Sequence, residues 1–299
     1  MYSELFKMLP PEILKADEPM KEHTTFKIGG PVDLMILPRD VQELKLSVDI
    51  CRENQIPMLV MGRGSNLLVR DKGIRGVVIK LDSNFNAIQI HGGDIWAQAG
   101  IMIAELARIA ANESLTGLEF AEGIPGSLGG AVAMNAGAYD GEMQDIIAEV
   151  EAISPTGDIK KYLPPDIGFA YRKSCFQNNG CIVTAALLQL SAGNKDQIQQ
   201  KMLDYAHRRR EKQPLGYPSA GSVFKRPAGI YVGPMIEKLG FKGHKIGGAE
   251  VSSQHAGFIV NTADAKASDV LQLIEKIQKA ARERYGVELH PEIRVVGEE

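Results

Sequence analysis

Apolar and polar positions recur on two periods along this chain, and the changes between them mark short strands and amphipathic helices. Residues 32–37 read as a strand stopped by Pro38. Residues 40–54 read as a helix, because Val41, Leu44, Val48 and Cys51 return on one face. Pro57 introduces an apolar strand at 58–61, and 76–81 reads as another. Residues 101–113 form an alanine-rich helix that ends before a turn at Gly117. Further strands are expected at 146–153 and 181–190, separated by a loop at Pro164-Pro165.

Around Ser191-Ala192-Gly193-Asn194 the pattern changes. A polar helix is expected over 196–212, closed by Pro214. Residues 232–239 read as a short helix with Pro234 in its first turn and Gly240 at its end. The clearest helix spans 269–285: Val270, Leu273, Ile274, Ile277 and Ala281 form its stripe, and Gly286 stops it. The chain closes with an expected strand at 287–296 that contains Glu292. A domain boundary near residue 194 would give parts 1–194 and 195–299.

Composition removes several function classes. With 34 basic and 37 acidic side chains the formal charge is −3, so neither nucleic acid nor an anionic membrane is the expected partner. No run approaches the roughly 20 apolar residues of a membrane helix, and residues 1–6 lack the features of a secretory leader. Cys51, Cys175 and Cys181 lack zinc-ligand spacing, and His244 and His255 are isolated, so no metal is expected. The expectation is a cytoplasmic protein with free thiols.

Chemistry concentrates in two glycine clusters. One is Gly62-Arg63-Gly64-Ser65-Asn66, after the apolar strand at 58–61. The other lies within residues 122–137 and includes Gly123, Ile124, Gly126, Ser127, Gly129, Gly130 and Ala131. Within 122–137 only Glu122 ionises, so an anion bound there must be held by main-chain N–H groups. Neither cluster has the lysine of a P-loop, and neither is a clean dinucleotide fingerprint. Together, with Ser65, Asn66, Ser127 and Asn135 beside them, they favour a cradle for a long phosphate-bearing ligand.

Other candidates are bland when taken alone. Tyr171-Arg172 offers a guanidinium fork suited to a carboxylate or phosphate, but fits a surface loop equally. Ser222, in Ser219-Ala220-Gly221-Ser222, lacks a nucleophile elbow and reads as a turn serine. Glu292 reads as a solvated strand residue. Arg208, Arg209, Arg210 and Lys212 suit the end of a helix through its dipole, with one or two able to reach a diphosphate.

Order changes that weighting. Thr24-Thr25-Phe26-Lys27-Ile28-Gly29-Gly30, Gly64-Ser65-Asn66-Leu67-Leu68 and Gly123-Ile124-Pro125-Gly126-Ser127-Leu128-Gly129-Gly130-Ala131 occur in sequence. They are followed by Tyr171-Arg172-Lys173-Ser174, Ala220-Gly221-Ser222-Val223-Phe224, Gly247-Gly248-Ala249 and Pro291-Glu292-Ile293-Arg294. Over about residues 20–297 the series resembles the UDP-N-acetylenolpyruvoylglucosamine reductase family of flavoenzymes. The resemblance implies an α+β FAD-binding fold of the vanillyl-alcohol-oxidase (PCMH) type with two subdomains, plus a smaller α+β substrate domain.

It further implies non-covalent FAD, NADPH as co-substrate and a UDP-sugar enolpyruvyl ether as substrate. The FAD diphosphate would lie on residues 62–66 and 123–131, with Ile182 near the flavin. Arg172, Ser222 and Glu292 would be the active-site residues, Ser222 giving a proton to carbon. Tyr171, Lys212, Arg226 and Gln254 are the candidates for holding substrate. His23, Arg63 and Arg226 depart from common family forms, and only residues 173–180 separate Arg172 from the next strand. The chain therefore resembles the shorter subtype, without a tyrosine-bearing insertion. Rival readings are another flavoenzyme of this fold, or a nucleotide-binding module without activity.

Overall fold

The computed structural model describes residues 2–299. It divides into two compact units: residues up to Lys15 with Leu34–Arg63 and Val77–Arg209, and Ala16–Asp33 with Gly64–Gly76 and Arg210–Glu299. The chain passes from the first unit to the second between Arg63 and Gly64, inside one of the glycine clusters.

The first unit is organised by a five-stranded antiparallel sheet in the order Ile159–Tyr162, Ile147–Ile153, Ile182–Gln189, Asp94–Gln98, Ile88–His91. The strand Met58–Met61 runs parallel to Ile74–Lys80, whose Val77, Val78 and Ile79 are fully buried. Such all-apolar runs suit strands covered on both faces. The helix Val41–Glu53 starts where the Asp40 carboxylate accepts from the Glu43 N–H at 2.8 Å. Its Leu44, Val48 and Cys51 enter the core, as the periodicity requires. The helix Ile103–Asn112 buries Ala104, Ala107, Ala110 and Ala111, small residues that admit close packing.

In the second unit an antiparallel sheet runs in the order Ser219–Ser222, Phe258–Asn261, Ala249–Val251, Lys245–Ile246. The helix Ala267–Tyr285 buries Val270, Leu273, Ile274, Ile277 and Ala281 in this unit's core. Gly286, left-handed at φ +64°, ends it. Asp71 caps its start, accepting from Ala267 N–H at 2.7 Å and Ser268 N–H at 3.1 Å. The strand Leu67–Val69 runs parallel to Arg294–Val296. These bonds account for the grouping of residues 64–76 with the C-terminal part.

Two local expectations are corrected, and one hairpin is added. Pro164-Pro165 opens a short helix, Pro164–Ile167, because proline tolerates a helix's first turn, and the strand Ile159–Tyr162 precedes it. The expected strand at 287–296 reduces to Arg294–Val296 plus an isolated bridge between Phe224 and Pro291, since Pro291 has no N–H for a ladder. The strands Ile88–His91 and Asp94–Gln98 were not anticipated. They form a hairpin around Gly92-Gly93, with Gly92 at φ +61°, the turn chemistry that a two-residue loop requires.

Candidate active site

In the first unit the two glycine clusters touch. A Cβ on Gly62 would collide with Ser127 Oγ, so a bare backbone fits over this buried serine. Ser127 precedes the helix Leu128–Ala133. Two amides of that helix's first turn are already engaged: Leu128 N–H donates to Ile101 O at 2.8 Å, and Gly129 N–H to Ala99 O at 2.9 Å. Ile103 N–H donates to Gly126 O at 3.0 Å. These bonds hold the bend rigid, and they leave fewer amides for an anion than the sequence alone suggests. Gly130 is exposed and a Cβ there would meet only Ser127 Oγ, at 3.7 Å. A bare, fixed backbone with one open face suits close approach by a dinucleotide diphosphate.

Charge comes from a residue that the sequence left among helix-end cations. Arg209 is 8% exposed and lies against Gly123: a Cβ on that glycine would sit 2.9 Å from Arg209 Cδ. Its guanidinium carbon is 5.8 Å from the Tyr139 ring centroid, and Tyr139 stacks on Tyr205 at 4.1 Å. Burial pulls the Arg209 pKa below its ordinary value, against the opposing fields of Tyr139 and Glu122. A cation held so deep favours an anion nearby. Its helical position gave no signal of this, because the contact with Gly123 spans 86 residues. The other cluster cation, Arg63, bonds to Asp82 at 3.1 Å. Burial pushes the Asp82 carboxyl up, but Lys80 and Arg63 outweigh that and hold its pKa below the usual value.

Arg172 sits at the tip of a tight turn in which Ala170 and Lys173 exchange both backbone hydrogen bonds at 3.0 Å. Its φ of +53° is left-handed, an uncommon state for a side chain with a Cβ. The turn is tied to the end of the Leu128–Ala133 helix. Ser174 Oγ donates to Ala133 O at 2.8 Å, Asn135 Nδ2 to Ala170 O at 3.1 Å, and Gln177 Nε2 to Arg172 O at 3.0 Å. Arg172 Nη2 donates to Gly137 O at 2.9 Å, and its guanidinium lies 5.1 Å from the exposed Tyr171 ring. Ile182 opens the strand Ile182–Gln189 and is buried in the core. Arg172 and the second glycine cluster are therefore parts of one braced assembly.

A second assembly lies within the other unit. Glu292 N–H donates to Val223 O at 2.7 Å, and Lys225 N–H to His290 O at 2.9 Å, so the residues after Ser222 run beside Glu292. Asn66 Nδ2 donates to Glu292 O at 3.1 Å, while Asn66 O accepts from Arg294 N–H at 2.9 Å. Ser222 is exposed and Glu292 half-buried. Gly64 and Ser65 lead into Asn66, and Gly64 O accepts from Leu67 N–H.

The candidate substrate residues fall into separate settings. Gln254 Nε2 donates to Arg210 O at 3.1 Å and to Glu211 O at 3.0 Å, completing carbonyls at the end of the helix Lys195–Lys212. That brings it to the turn carrying Lys212. Arg226 lies over the exposed Tyr231 ring at 3.9 Å.

Comparison with known proteins adds the following. A family model for the C-terminal domain of UDP-N-acetylenolpyruvoylglucosamine reductase matches residues 213–296, and an FAD binding domain model matches residues 32–162. The UDP-N-acetylenolpyruvoylglucosamine reductase of Syntrophomonas wolfei is 57% identical, covering 100% of both chains. That of Clostridioides difficile is 45% identical over 100% of this chain and 98% of its own. The crystal structure of UDP-N-acetylenolpyruvylglucosamine reductase (MurB) from Thermus caldophilus matches with a TM-score of 0.81 and 36% identity, over 94% of this chain and 97% of its own. Phl p 4.0202, a glucose dehydrogenase, matches at a TM-score of 0.50 and 17% identity, a likeness of fold alone.

Proposed function

Because the chain belongs to the UDP-N-acetylenolpyruvoylglucosamine reductase family, we propose that Arg172, Ser222 and Glu292 act on the enolpyruvyl group of a uridine-diphosphate sugar. The chain has the α+β FAD-binding fold of the vanillyl-alcohol-oxidase type with a further domain. It is an FAD-dependent reductase that converts UDP-N-acetylglucosamine enolpyruvate to UDP-N-acetylmuramate in peptidoglycan precursor synthesis. FAD held in that fold and reduced by NADPH would supply a hydride to the terminal methylene carbon of the enolpyruvyl group.

The chain's own groups then manage charge and proton. Negative charge builds on the carbon next to the reduced one and on its carboxylate. Arg172 stabilises that charge, and a fixed donor in a dry site is worth about 3–4 kcal/mol. Its left-handed turn and its bond to Gly137 O orient the fork beforehand. Ser222 delivers the proton to carbon; a hydroxyl is a weak acid, so its placement decides the rate. Glu292 would repel an enolate if ionised, and it assists when protonated or when it orients a donor. The observation supporting these roles is the pairing of Val223 with Glu292, which holds a hydroxyl and a carboxyl on adjoining backbone.

For the cofactor, residues 62–66 and 123–131 hold the diphosphate, with Arg209 adding the cation that 123–131 lacks and Ile182 lying near the flavin. Lys212, Arg226, Gln254 and Tyr171 bind the uridine-diphosphate sugar. In functional terms residues 1–194 serve the cofactor and 195–299 the substrate, except that Arg209 joins the cofactor side and Tyr171 and Arg172 act on the substrate, with the C-terminal segment contributing Glu292. No helix among the described residues is long and apolar enough to cross a membrane, and cytoplasmic synthesis from soluble nucleotides fits the reading.

The test is direct. Purified protein should be yellow, release FAD on denaturation, bleach anaerobically with NADPH and recolour with the enolpyruvyl sugar nucleotide. Recolouring by simple alcohols or sugars instead would favour an oxidase of the same fold. A colourless protein that binds nucleotide would favour the inactive module.

A further inference from the structure

The strand that carries Ser222 is irregular. Ser219 pairs with Val260 and Ser222 with Phe258, so this strand threads one residue more than its partner. Gly221 is left-handed at φ +80°, the conformation that lets the extra residue fit as a bulge. A bulge sets the direction of the residue that follows it, and a one-residue slip would turn Ser222 to the opposite face. The strand spans only Ser219–Ser222, so its ladder specifies the register weakly.

Other contacts hold it. Downstream, Val223 N–H donates to Gly257 O at 2.9 Å, and Val223 O accepts from Glu292 N–H at 2.7 Å. Upstream, Asn261 N–H donates to Pro218 O at 2.9 Å. The Ser219 carbonyl is held by a side chain: Thr25 Oγ1 donates to it at 2.7 Å, across 194 residues of sequence. Thr25 is itself fixed. Asn261 Nδ2 donates to Phe26 O at 3.2 Å and Lys27 O at 3.3 Å, and Asn261 Oδ1 accepts from Ala265 N–H at 3.0 Å. Thr24 Oγ1 closes the same loop on Ile28 O at 3.2 Å.

We propose that Thr25 is a positioning residue for Ser222, its hydroxyl fixing the upstream end of the bulge and so the direction of the serine. The inference rests on Ser222 as proton donor. Misplacement by about 1 Å can slow a positioned step by about 100-fold, whereas FAD binding and flavin reduction do not use Ser222.

The test compares Thr25→Val, which keeps the shape and removes the hydroxyl, with Thr25→Ser, which keeps the hydroxyl. Thr25→Val holoenzyme should retain FAD and be reduced by NADPH within about twofold of the parent rate. Its reoxidation by the enolpyruvyl sugar nucleotide should slow by about 10- to 100-fold, with a larger solvent deuterium isotope effect. Thr25→Ser should recover to within about threefold. In a Ser222→Ala background, Thr25→Val should add less than about twofold, because it acts through the missing hydroxyl. Should Thr25→Val fail to fold, Thr25→Ala against Thr25→Ser gives the same contrast.

Parental reoxidation in Thr25→Val overturns the inference. So does a Thr25→Ser variant as slow as Thr25→Val, or equal loss of both half-reactions. Parental reoxidation in Ser222→Ala instead removes the proton-donor assignment itself.

Discussion

In the first unit, Gly62, Gly123 and Gly129 let the backbone press against Ser127, Arg209 and Ala99 at distances no Cβ tolerates. In the second, Ser222, Glu292 and Asn66 come together through hydrogen bonds between short, irregular strands. The first assembly excludes side chains where backbone and neighbour meet, the bare surface on which we place the cofactor. The second arranges a few side chains, and their placement depends on contacts that reach from residue 25 to residue 292. Steric damage in the first should therefore appear as lost cofactor or stability. Damage in the second should appear as slow chemistry on intact holoenzyme.

Arg172 gives the largest expected effect outside the second unit. Arg172→Lys should slow reoxidation by about 100- to 1,000-fold, because a point charge does not replace a planar fork. Stopped-flow absorbance would read this while FAD content stays normal. Next, Arg209→Met should weaken FAD binding by about 10- to 100-fold, the worth of a charge-assisted hydrogen bond. Flavin fluorescence titration of the apoprotein measures it, and unchanged affinity would exclude Arg209 from the cofactor.

Two neighbouring glycines sharpen the contrast. A Cβ on Gly129 would lie 2.8 Å from Ala99 Cβ, and neither methyl can rotate away. Gly129→Ala should cost the apoprotein about 1–3 kcal/mol in urea unfolding. Gly130→Ala meets only ordinary contacts, so stability should hold or rise slightly while FAD affinity falls.

The smallest effect concerns acid stability in the first unit. Burial pushes the Glu119 carboxyl up. Thr116 Oγ1 at 2.5 Å, Gly117 N–H at 2.9 Å and the Lys201 ammonium outweigh it and hold its pKa below the usual carboxylate value. The unfolded chain takes up this proton more readily, so the stabilisation is complete above the unfolded pKa of about 4.3 and fades as pH falls through the lower folded value. Glu119→Gln should lower Tm by about 2–3 °C at pH 7. The difference should shrink progressively below pH ~4, and a gap independent of pH would show that the ionised carboxylate is not its source.

What was legible in the chain follows the same division. The helix Val41–Glu53 and the long helix Ala267–Tyr285 were read from local periodicity and caps, because their burial stripes repeat within a few turns. The glycine clusters were read from composition, and the structure brings Gly62 against Ser127. Arg209 was hidden because a helix-end arginine looks alike whether it faces water or a glycine bend. Ser222 and Glu292 gained weight only through the order of motifs, since the bonds joining them cross dozens of residues. The hairpin at Gly92-Gly93 carried a turn signal but short flanking strands, and Pro291 cut the last strand to Arg294–Val296.

The most direct measurement is anaerobic stopped-flow of Ser222→Ala holoenzyme, with the two half-reactions followed separately by flavin absorbance. NADPH should bleach the flavin at close to the parent rate, and the enolpyruvyl sugar nucleotide should restore the colour about 100- to 10,000-fold more slowly than in the parent. Recolouring at the parent rate, or equal loss of both steps, would contradict proton delivery by Ser222.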